Sequence, residues 1–191
     1  MICIILAAGL SSRMGKQKLL LPFGAKSVIE SVIDSMTEAN LLPIHLVLSR
    51  EVSSALNIKS NTICTFINEN PERGQSSSLA IALNSLPDKE DFCIMLGDLP
   101  LVRPRGAMLL YESFLSMPKE KSVLAPCRDG VFGHPMFYRS VWKERFGSAS
   151  GDLGGKKILM HYDDEIMRIE AADEHFRDMD TPEEYRTLLK N

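Results

Sequence analysis

Five short apolar runs, rich in β-branched residues, recur along the chain and are separated by polar or helical stretches. They are Ile2–Leu6, Ile44–Leu48, Thr62–Ile67, Phe92–Leu96 and Val123–Pro126. Because these runs are almost continuously apolar, they predict strands that are buried on both faces of a mainly parallel sheet. The expected fold class is therefore α/β, a three-layer, Rossmann-like arrangement with helices on both faces of the sheet.

Amphipathic segments between the apolar runs predict the helices. Ser27 and Glu30 form a capping-box pattern ahead of an apolar stripe at helical spacing. Further helices are predicted after Gly74 and from Pro104, and a last one begins at a second capping pattern: Thr181, Pro182 and Glu184. Residues 133–146 predict a strand followed by a short helix, residues 147–157 predict a flexible loop, and residues 165–171 predict a further strand.

Composition narrows the class of protein. Of the 191 residues 45% are hydrophobic and 25% are charged, which is typical of a globular domain. A net charge of −3 argues against nucleic acid or an anionic membrane as partner, and no apolar run approaches the ~20 residues of a membrane helix. No signal-peptide pattern is present. The four cysteines form no C-x-x-C pair and are expected to be small buried hydrophobes in a reducing cytoplasm.

The segment after the first predicted strand favours anion binding. It places Gly9 and Gly15 among serines and the basic residues Arg13, Lys16 and Lys18. Glycines let backbone amides converge on an anion, and the basic side chains add donors. The spacing matches neither the P-loop nor the G-x-G-x-x-G dinucleotide fingerprint. An ordinary turn with solvated basic residues is the alternative.

Two acidic residues and a serine-rich loop are the other candidates for chemistry. Asp98 directly follows a buried strand, where a carboxylate is well placed to hold Mg²⁺, although it could equally cap its own turn. Asp180 precedes a helix cap, a position that acidic residues also favour for structural reasons. The loop from Asn70 to Ser78 could contact the edge of a base or simply cap a helix.

Several stretches in a fixed order resemble the nucleotidyltransferases with the pyrophosphorylase-type α/β fold. The first, LAAGLSSRMGKQKLLLPFG, is similar to the signature loop of that superfamily. With GQSSSLAIAL, IMLGDLPLV, APCRDGVFGHPMFY, GDLGGKKIL and DMDTPEEY, it resembles the molybdenum-cofactor cytidylyltransferase branch. The resemblance covers nearly the whole chain. It implies a three-layer nucleotidyltransferase fold in a single domain of residues 1–191, with the nucleotide bound by about residues 1–103 and the acceptor by about residues 104–191.

The resemblance also implies roles for individual residues. The expected nucleotide-binding residues are Ala7, Ala8, Gly9, Ser12, Arg13, Lys18, Gly74, Ser77 and Ser78. The expected catalytic residues are Arg13, Lys18 and Asp98, and the expected Mg²⁺ ligands are Asp98 and Asp180. The acceptor would face Gly133, His134 and Asp152. Gln17 stands where the family often has Pro or Asn, which leaves Lys16 as an alternative to Lys18, and Leu99 stands where the family often has Gln.

The function implied is Mg²⁺-dependent transfer of CMP from CTP to a molybdopterin-type molybdenum cofactor, with release of pyrophosphate. The reaction needs positioning and charge stabilisation more than a general base. Alternatives within the class use GTP, or a sugar or alcohol phosphate as acceptor. An alternative of another class is a non-catalytic accessory protein that binds the cofactor for an apo-molybdoenzyme, which is a further expected partner.

Overall fold

The computed structural model of the chain describes residues 1–11, 14–148 and 155–189. Its strands are β1 (Ile2–Ala7), β2 (Pro22–Phe23), β3 (Lys26–Ser27), β4 (Ile44–Ser49), β5 (Ile63–Asn68), β6 (Phe92–Leu96), β7 (Val123–Arg128), β8 (Val131–Phe132), β9 (Met136–Tyr138) and β10 (Ile166–Glu170). Its helices are α1 (Val28–Glu38), α2 (Arg50–Ala55), α3 (Gln75–Asn84), α4 (Pro104–Leu115), α5 (Trp142–Ser148), α6 (Gly155–Met160) and α7 (Pro182–Leu188).

Eight of these strands form one sheet in the order β10-β7-β9-β6-β1-β4-β5, with β8 paired to β7. Strands β6, β1, β4 and β5 are parallel to one another, and β10 is parallel to β7. Strand β9 lies between β6 and β7 and is antiparallel to both. The prediction of a mainly parallel α/β sheet is confirmed. Since β1 lies between β4 and β6, the loops that follow three parallel strands open at one edge of the sheet.

Side chains of β1 enter two separate cores, one on each face of the sheet. Cys3 and Ile5 point into a cluster shared with α1 and α4, whereas Ile2 and Ile4 point into a cluster shared with α3 and α5. All six residues of β1 are buried. Helices therefore cover both faces of the sheet, as the continuous apolar runs predicted.

Two local predictions need correction, and one helix was not predicted. The segment 147–157 is not a loop throughout, because α6 begins at Gly155 and its Leu159 packs into the second core. Helix α2 was not predicted; it is short, and Ser49 caps it by accepting a hydrogen bond from the amide of Val52. Cys64 is exposed rather than buried, because β5 is the outermost strand of the sheet. All four cysteines are free thiols.

Within the described ranges, no helix has the length and the apolar character that crossing a membrane requires.

Candidate active site

The loop that follows β1 is held by the side chains of Ser11 and Gln17. The Ser11 hydroxyl donates to Gln17 Oε1 at 2.8 Å, and the Gln17 amide donates to the carbonyl of Gly9 at 3.2 Å. Ser11 Oγ also accepts from the backbone amide of Lys18 at 3.1 Å. Ser11 itself has a φ of +51°, a backbone region that few residues other than glycine adopt. These contacts fix the turn from which the Lys18 side chain departs.

Lys18 joins two carboxylates that are far apart in the sequence. Its Nζ donates to Asp98 Oδ2 at 2.5 Å and to Asp180 Oδ1 at 2.7 Å. The Lys18 side chain is only 11% exposed, and those of Asp98 and Asp180 are 17% and 32% exposed. Two of the predicted catalytic residues and both predicted metal ligands therefore lie together. Lys16, the alternative cation, is exposed.

Asp98 reaches this position because Gly97 allows β6 to run close to β1. The amide of Gly97 donates to the carbonyl of Leu6 at 3.0 Å, which continues the pairing of the two strands by one residue. A Cβ at position 97 would lie 2.9 Å from the Cβ of Ala7 and 3.0 Å from Cδ1 of Ile29. A side chain there would push the Asp98 strand end away from β1.

Asp180 is positioned by the start of helix α7. Thr181 and Glu184 form a capping box, in which Glu184 Oε2 accepts from the amide of Thr181 at 2.7 Å and the amide of Glu184 donates to Thr181 Oγ1 at 3.2 Å. Glu184 Oε2 also accepts from the amide of Asp180 at 2.9 Å. The Tyr185 hydroxyl donates to the carbonyl of Pro22 at 2.6 Å and attaches α7 to the first third of the chain. The predicted capping pattern thus fixes a candidate ligand.

The two carboxylates keep Lys18 charged although it is buried. Burial alone would lower the pKa of the Lys18 ammonium, but the charge of Asp98 and hydrogen bonds to Asp180 and Asp98 together raise it. Asp178 lies close by, and its pKa is raised by burial and by the negative charges of Asp98 and Asp180. The cluster therefore has an excess of acidic groups over cations among the described residues, which suits a further cation.

These side chains line a small cavity of about 280 Å³, here called the charged pocket. Its lining includes Ala7, Ala8, Gly9, Ser11, Lys18, Gly74, Ser78, Asp98 and Asp180. In the part of the chain that the structure describes, no group of three or more His, Cys, Asp and Glu residues could hold a metal ion alone. Asp98 and Asp180 nevertheless fit Mg²⁺, which binds through one or two carboxylates and takes its other ligands from water and substrate phosphates. Lys18, bonded to both, is already a stand-in cation.

The serine-rich loop is organised by Asn68, at the end of β5. The Asn68 amide donates to Ser77 Oγ at 2.8 Å and to Ser78 Oγ at 2.9 Å, and the Ser77 hydroxyl donates to the carbonyl of Gly74 at 2.7 Å. Gly74 has a φ of +81°, which favours glycine at this turn into α3. Sequence reasoning missed Asn68; the available signal was a polar residue at the carboxyl end of a strand expected to be parallel.

A much larger cavity of about 1790 Å³, here called the broad cleft, lies beside the charged pocket. Its lining is mainly apolar and includes Leu6, Ala80, Leu83, Ile94, Leu96, Phe132, Met136 and Phe146, together with Gly74, Ser77 and His134. Five charged residues also line it: Arg73, Asp88, Lys89, Lys143 and Glu144. Leu6, Gly74, Gln75 and Leu96 line both cavities, so the two are adjacent. Ligands bound in the two cavities would therefore lie near each other.

His134 is a neutral side chain in the wall of the broad cleft. Burial lowers its pKa, and its Nδ1 lies 3.1 Å from the carbonyl oxygen of Ile94, so Nδ1 carries the proton and Nε2 is left as an acceptor. The amide of His134 donates to the carbonyl of His175 at 2.9 Å. Gly133 packs against the same segment, since a Cβ there would lie 2.5 Å from the carbonyl oxygen of His175.

The structure brings most of the predicted site residues to these two cavities. Ala7, Ala8, Gly9, Lys18, Gly74, Ser78, Asp98 and Asp180 line the charged pocket, and Ser77 and His134 line the broad cleft. Ser12, Arg13 and Asp152 lie outside the described residues. Sequence reasoning also missed Gln17 as the residue that organises the loop after β1.

Fold and site together define an α/β nucleotidyltransferase, with a loop, an ammonium and two carboxylates at the carboxyl edge of a parallel sheet. Residues 3–166 match the model of the MobA-like NTP transferase domain, and the chain belongs to this family of enzymes. A curated relative, the molybdenum cofactor cytidylyltransferase of Escherichia coli (strain K12), is 25% identical over 187 residues, which cover 97% of this chain and 93% of the relative.

Solved structures agree with this fold. The crystal structure of Rv0371c from Mycobacterium tuberculosis H37Rv has a TM-score of 0.80 and 23% identity, and it covers 100% of this chain and 98% of its own. A structure of the same protein in complex with manganese has a TM-score of 0.75 and 22% identity, and the match covers 100% of this chain and 98% of the other. Molybdopterin-guanine dinucleotide biosynthesis protein A from Archaeoglobus fulgidus has a TM-score of 0.72 and 17% identity, with 100% and 97% covered.

Proposed function

We propose that this enzyme is a Mg²⁺-dependent cytidylyltransferase that transfers CMP from CTP to a molybdopterin-type molybdenum cofactor, in the cytoplasm. The observation that carries the proposal is the meeting of Lys18, Asp98 and Asp180 in a pocket that lies beside a broad, mainly apolar cleft. The curated E. coli relative, which carries this activity in its name, aligns along 97% of the chain and supports the choice of substrates.

The charged pocket suits the triphosphate of the nucleotide. Backbone amides of Ala8 and Gly9 and the ammonium of Lys18 would bind phosphate oxygens, and Arg13 is proposed to add a second cation. Asp98 and Asp180 would hold Mg²⁺, which supplies positive charge to the phosphates when it is bound. Ser78 and Gly74 would lie towards the base.

The broad cleft suits the acceptor. Its apolar floor can cover the ring system of a pterin, and Nε2 of the neutral His134 can accept a hydrogen bond from a ring N–H. A phosphate oxygen of the acceptor would attack the α-phosphorus of CTP, while the bond from that phosphorus to the bridging oxygen breaks and pyrophosphate leaves. The nucleophile is already ionised, so the residues need only orient the reactants and stabilise charge.

The direct test measures pyrophosphate release from purified protein with Mg²⁺, CTP and molybdenum cofactor. Release that requires all three supports the proposal, and no release with CTP contradicts it.

A thermal-shift series with CTP, GTP, ATP and UTP identifies the base, because a nucleotide at about 100 times its Kd stabilises the fold by ~2.7 kcal/mol. A larger shift with GTP would replace CTP by GTP, and tight cofactor binding without turnover would favour an accessory protein for an apo-molybdoenzyme.

A further inference from the structure

The ammonium of Lys18 stands where a cation bound to Asp98 and Asp180 would stand. We propose that in the nucleotide-free enzyme Lys18 competes with the divalent cation for these carboxylates, and that nucleotide phosphates remove the competitor by binding the ammonium. The consequence is that cation and nucleotide bind cooperatively through one side chain. This inference rests on the proposed function, because it takes Asp98 and Asp180 as the metal ligands.

The geometry makes the two cations mutually exclusive. Asp98 Oδ2 and Asp180 Oδ1 accept hydrogen bonds from the same nitrogen, at 2.5 and 2.7 Å, so both oxygens converge on one point. A divalent cation held by both of these oxygens would need the space between them that the ammonium now fills. The ammonium must therefore move before the ion can bind to both carboxylates.

Burial prevents Lys18 from leaving without a new partner. Its side chain is 11% exposed. Removing the counter-charges from an ammonium in such a site costs far more free energy than removing them from a solvated ammonium. The backbone of Lys18 is held by Ser11, so the side chain can swing only within reach of the loop after β1. Phosphate oxygens bound by that loop would be the nearest replacement for the carboxylates, since loop and ammonium line the same pocket.

The charges at the site explain why binding of the nucleotide and binding of the divalent cation are coupled. Without nucleotide, the Lys18 ammonium is hydrogen-bonded to both carboxylates, and a divalent cation has to compete with it for their charge. With nucleotide, the ammonium pairs with phosphate and both carboxylates face the cation. By linkage, each ligand then raises the affinity of the other by the same factor.

The test measures Mn²⁺ binding by electron paramagnetic resonance, first without nucleotide, in the wild type, Lys18→Met, Lys18→Arg and Lys26→Met. Lys26 is the matched control, because it pairs with Asp34 at the surface, away from both cavities. We expect Lys18→Met to bind Mn²⁺ about tenfold more tightly than the wild type, since a competing charge is gone, whereas Lys18→Arg and Lys26→Met remain weak.

The second stage adds a CTP analogue with a methylene group between its α and β phosphorus atoms. The measured quantity is the factor by which the analogue raises the affinity of the protein for Mn²⁺. Chelation of Mn²⁺ by the analogue in solution is the same for every variant, so differences in this factor come from the protein. The factor should be large in the wild type and about tenfold smaller in Lys18→Met. Equal Mn²⁺ affinities for the wild type and Lys18→Met, with and without the analogue, would overturn the inference.

Two further measurements keep the outcomes separate. If Asp98→Asn and Asp180→Asn bind Mn²⁺ with the analogue as tightly as the wild type, the proposed metal ligands are wrong and the proposed function loses its support. If those variants lose the ion while Lys18→Met resembles the wild type, only the inference fails. Should Lys18→Met not fold, the ¹H–¹⁵N signal of the Lys18 ammonium in the wild type decides: it must shift when Mg²⁺ and the analogue are both added, and an unchanged signal contradicts the exchange.

Discussion

The charged pocket and the broad cleft are adjacent cavities that differ in volume and in the chemistry of their linings. The charged pocket is about 280 Å³, and its key side chains pair with each other across 80 and 162 residues of sequence. The broad cleft is about 1790 Å³, and its lining is mostly apolar, with α3, β6, β9 and α5 contributing walls. One cavity is defined by charge at fixed distances, the other by shape.

This difference suggests separate roles: the charged pocket for the reaction itself, and the broad cleft for the selection of the acceptor. All nucleoside triphosphates carry the same phosphates. The proposed contacts of those phosphates with the Lys18 ammonium, with the loop after β1 and with a cation on the two carboxylates therefore suit a reaction common to a large superfamily. The lining of the broad cleft is mainly apolar, and two of its five charged residues, Asp88 and Lys143, pair with each other. Selectivity for the proposed acceptor is therefore expected to come mainly from the fit of apolar surface. Changes in the first cavity should therefore alter turnover, and changes in the second should alter affinity for the acceptor.

The largest effect is expected at Asp98. Asp98→Asn keeps the shape of the side chain but removes the charge that pairs with Lys18, and we expect a loss of about 10²–10³ in kcat with the fold retained. Pyrophosphate release measures the loss, and circular dichroism checks the fold. A variant with wild-type kcat would show that the charge of this pocket is not needed for turnover.

A second change tests the close packing of Gly133 against the backbone of His175. Gly133→Ala would place a Cβ 2.5 Å from the carbonyl oxygen of His175, and backbone cannot yield there, so we expect a loss of about 1–3 kcal/mol in the free energy of unfolding. Gly147→Ala is the control, because nothing lies within 4 Å of a Cβ at that position in α5. Urea unfolding compares the two, and equal stabilities would contradict the packing described for Gly133.

A third change fills the broad cleft and leaves the charged pocket intact. Ala80→Trp on α3 should raise KM for the acceptor by about tenfold, while KM for CTP changes little. Leu115→Trp on α4 is the matched control, since Leu115 is exposed and lines neither cavity. An Ala80→Trp variant that weakened CTP binding instead would assign the nucleotide to the larger cavity.

The smallest expected effect concerns pH. Burial lowers the pKa of His134 in the folded state, so as pH falls below about 6.5 the unfolded state takes up this proton first and stability is lost. Between pH 7.5 and 5.5 the wild type should lose up to about 1 kcal/mol more than His134→Asn. Urea unfolding at both pH values measures the difference. Parallel losses in the two proteins would mean that His134 titrates normally in the cleft wall.

Local signals predicted the fold better than they predicted the site. A continuous apolar run such as Phe92–Leu96 predicts a buried strand by itself, so the predicted and observed ends of those strands agree within about two residues. Strand pairing is not local: nothing in the sequence of β9 says that it separates β6 from β7 as an antiparallel strand. The short helix α2 carried too weak a periodic pattern to be recognised.

Within the site, sequence alone selected the segments but not the contacts among them. It left Lys16 and Lys18 as alternatives, because only the folded chain shows that Lys18 is buried between two carboxylates. Gln17 was seen as a departure from the family pattern, yet it is the residue that anchors the loop to Gly9. Such contacts depend on distances across the fold, which spacing along the chain does not encode.

The placement of Asp180 has a consequence for the working lifetime of the enzyme. This carboxylate precedes a helix of 7 residues that is attached to the rest of the domain by Leu188, which is buried in the core shared with α1 and α4, and by the hydrogen bond from Tyr185 to Pro22. A short helix with one buried side chain opens far more often than the strands of a central sheet. Opening of α7 would withdraw Asp180, the proposed metal ligand, while the sheet stays intact, so mild heat should abolish activity reversibly below the melting temperature of the domain. Hydrogen exchange in this helix, rather than global stability, should then follow the loss of activity.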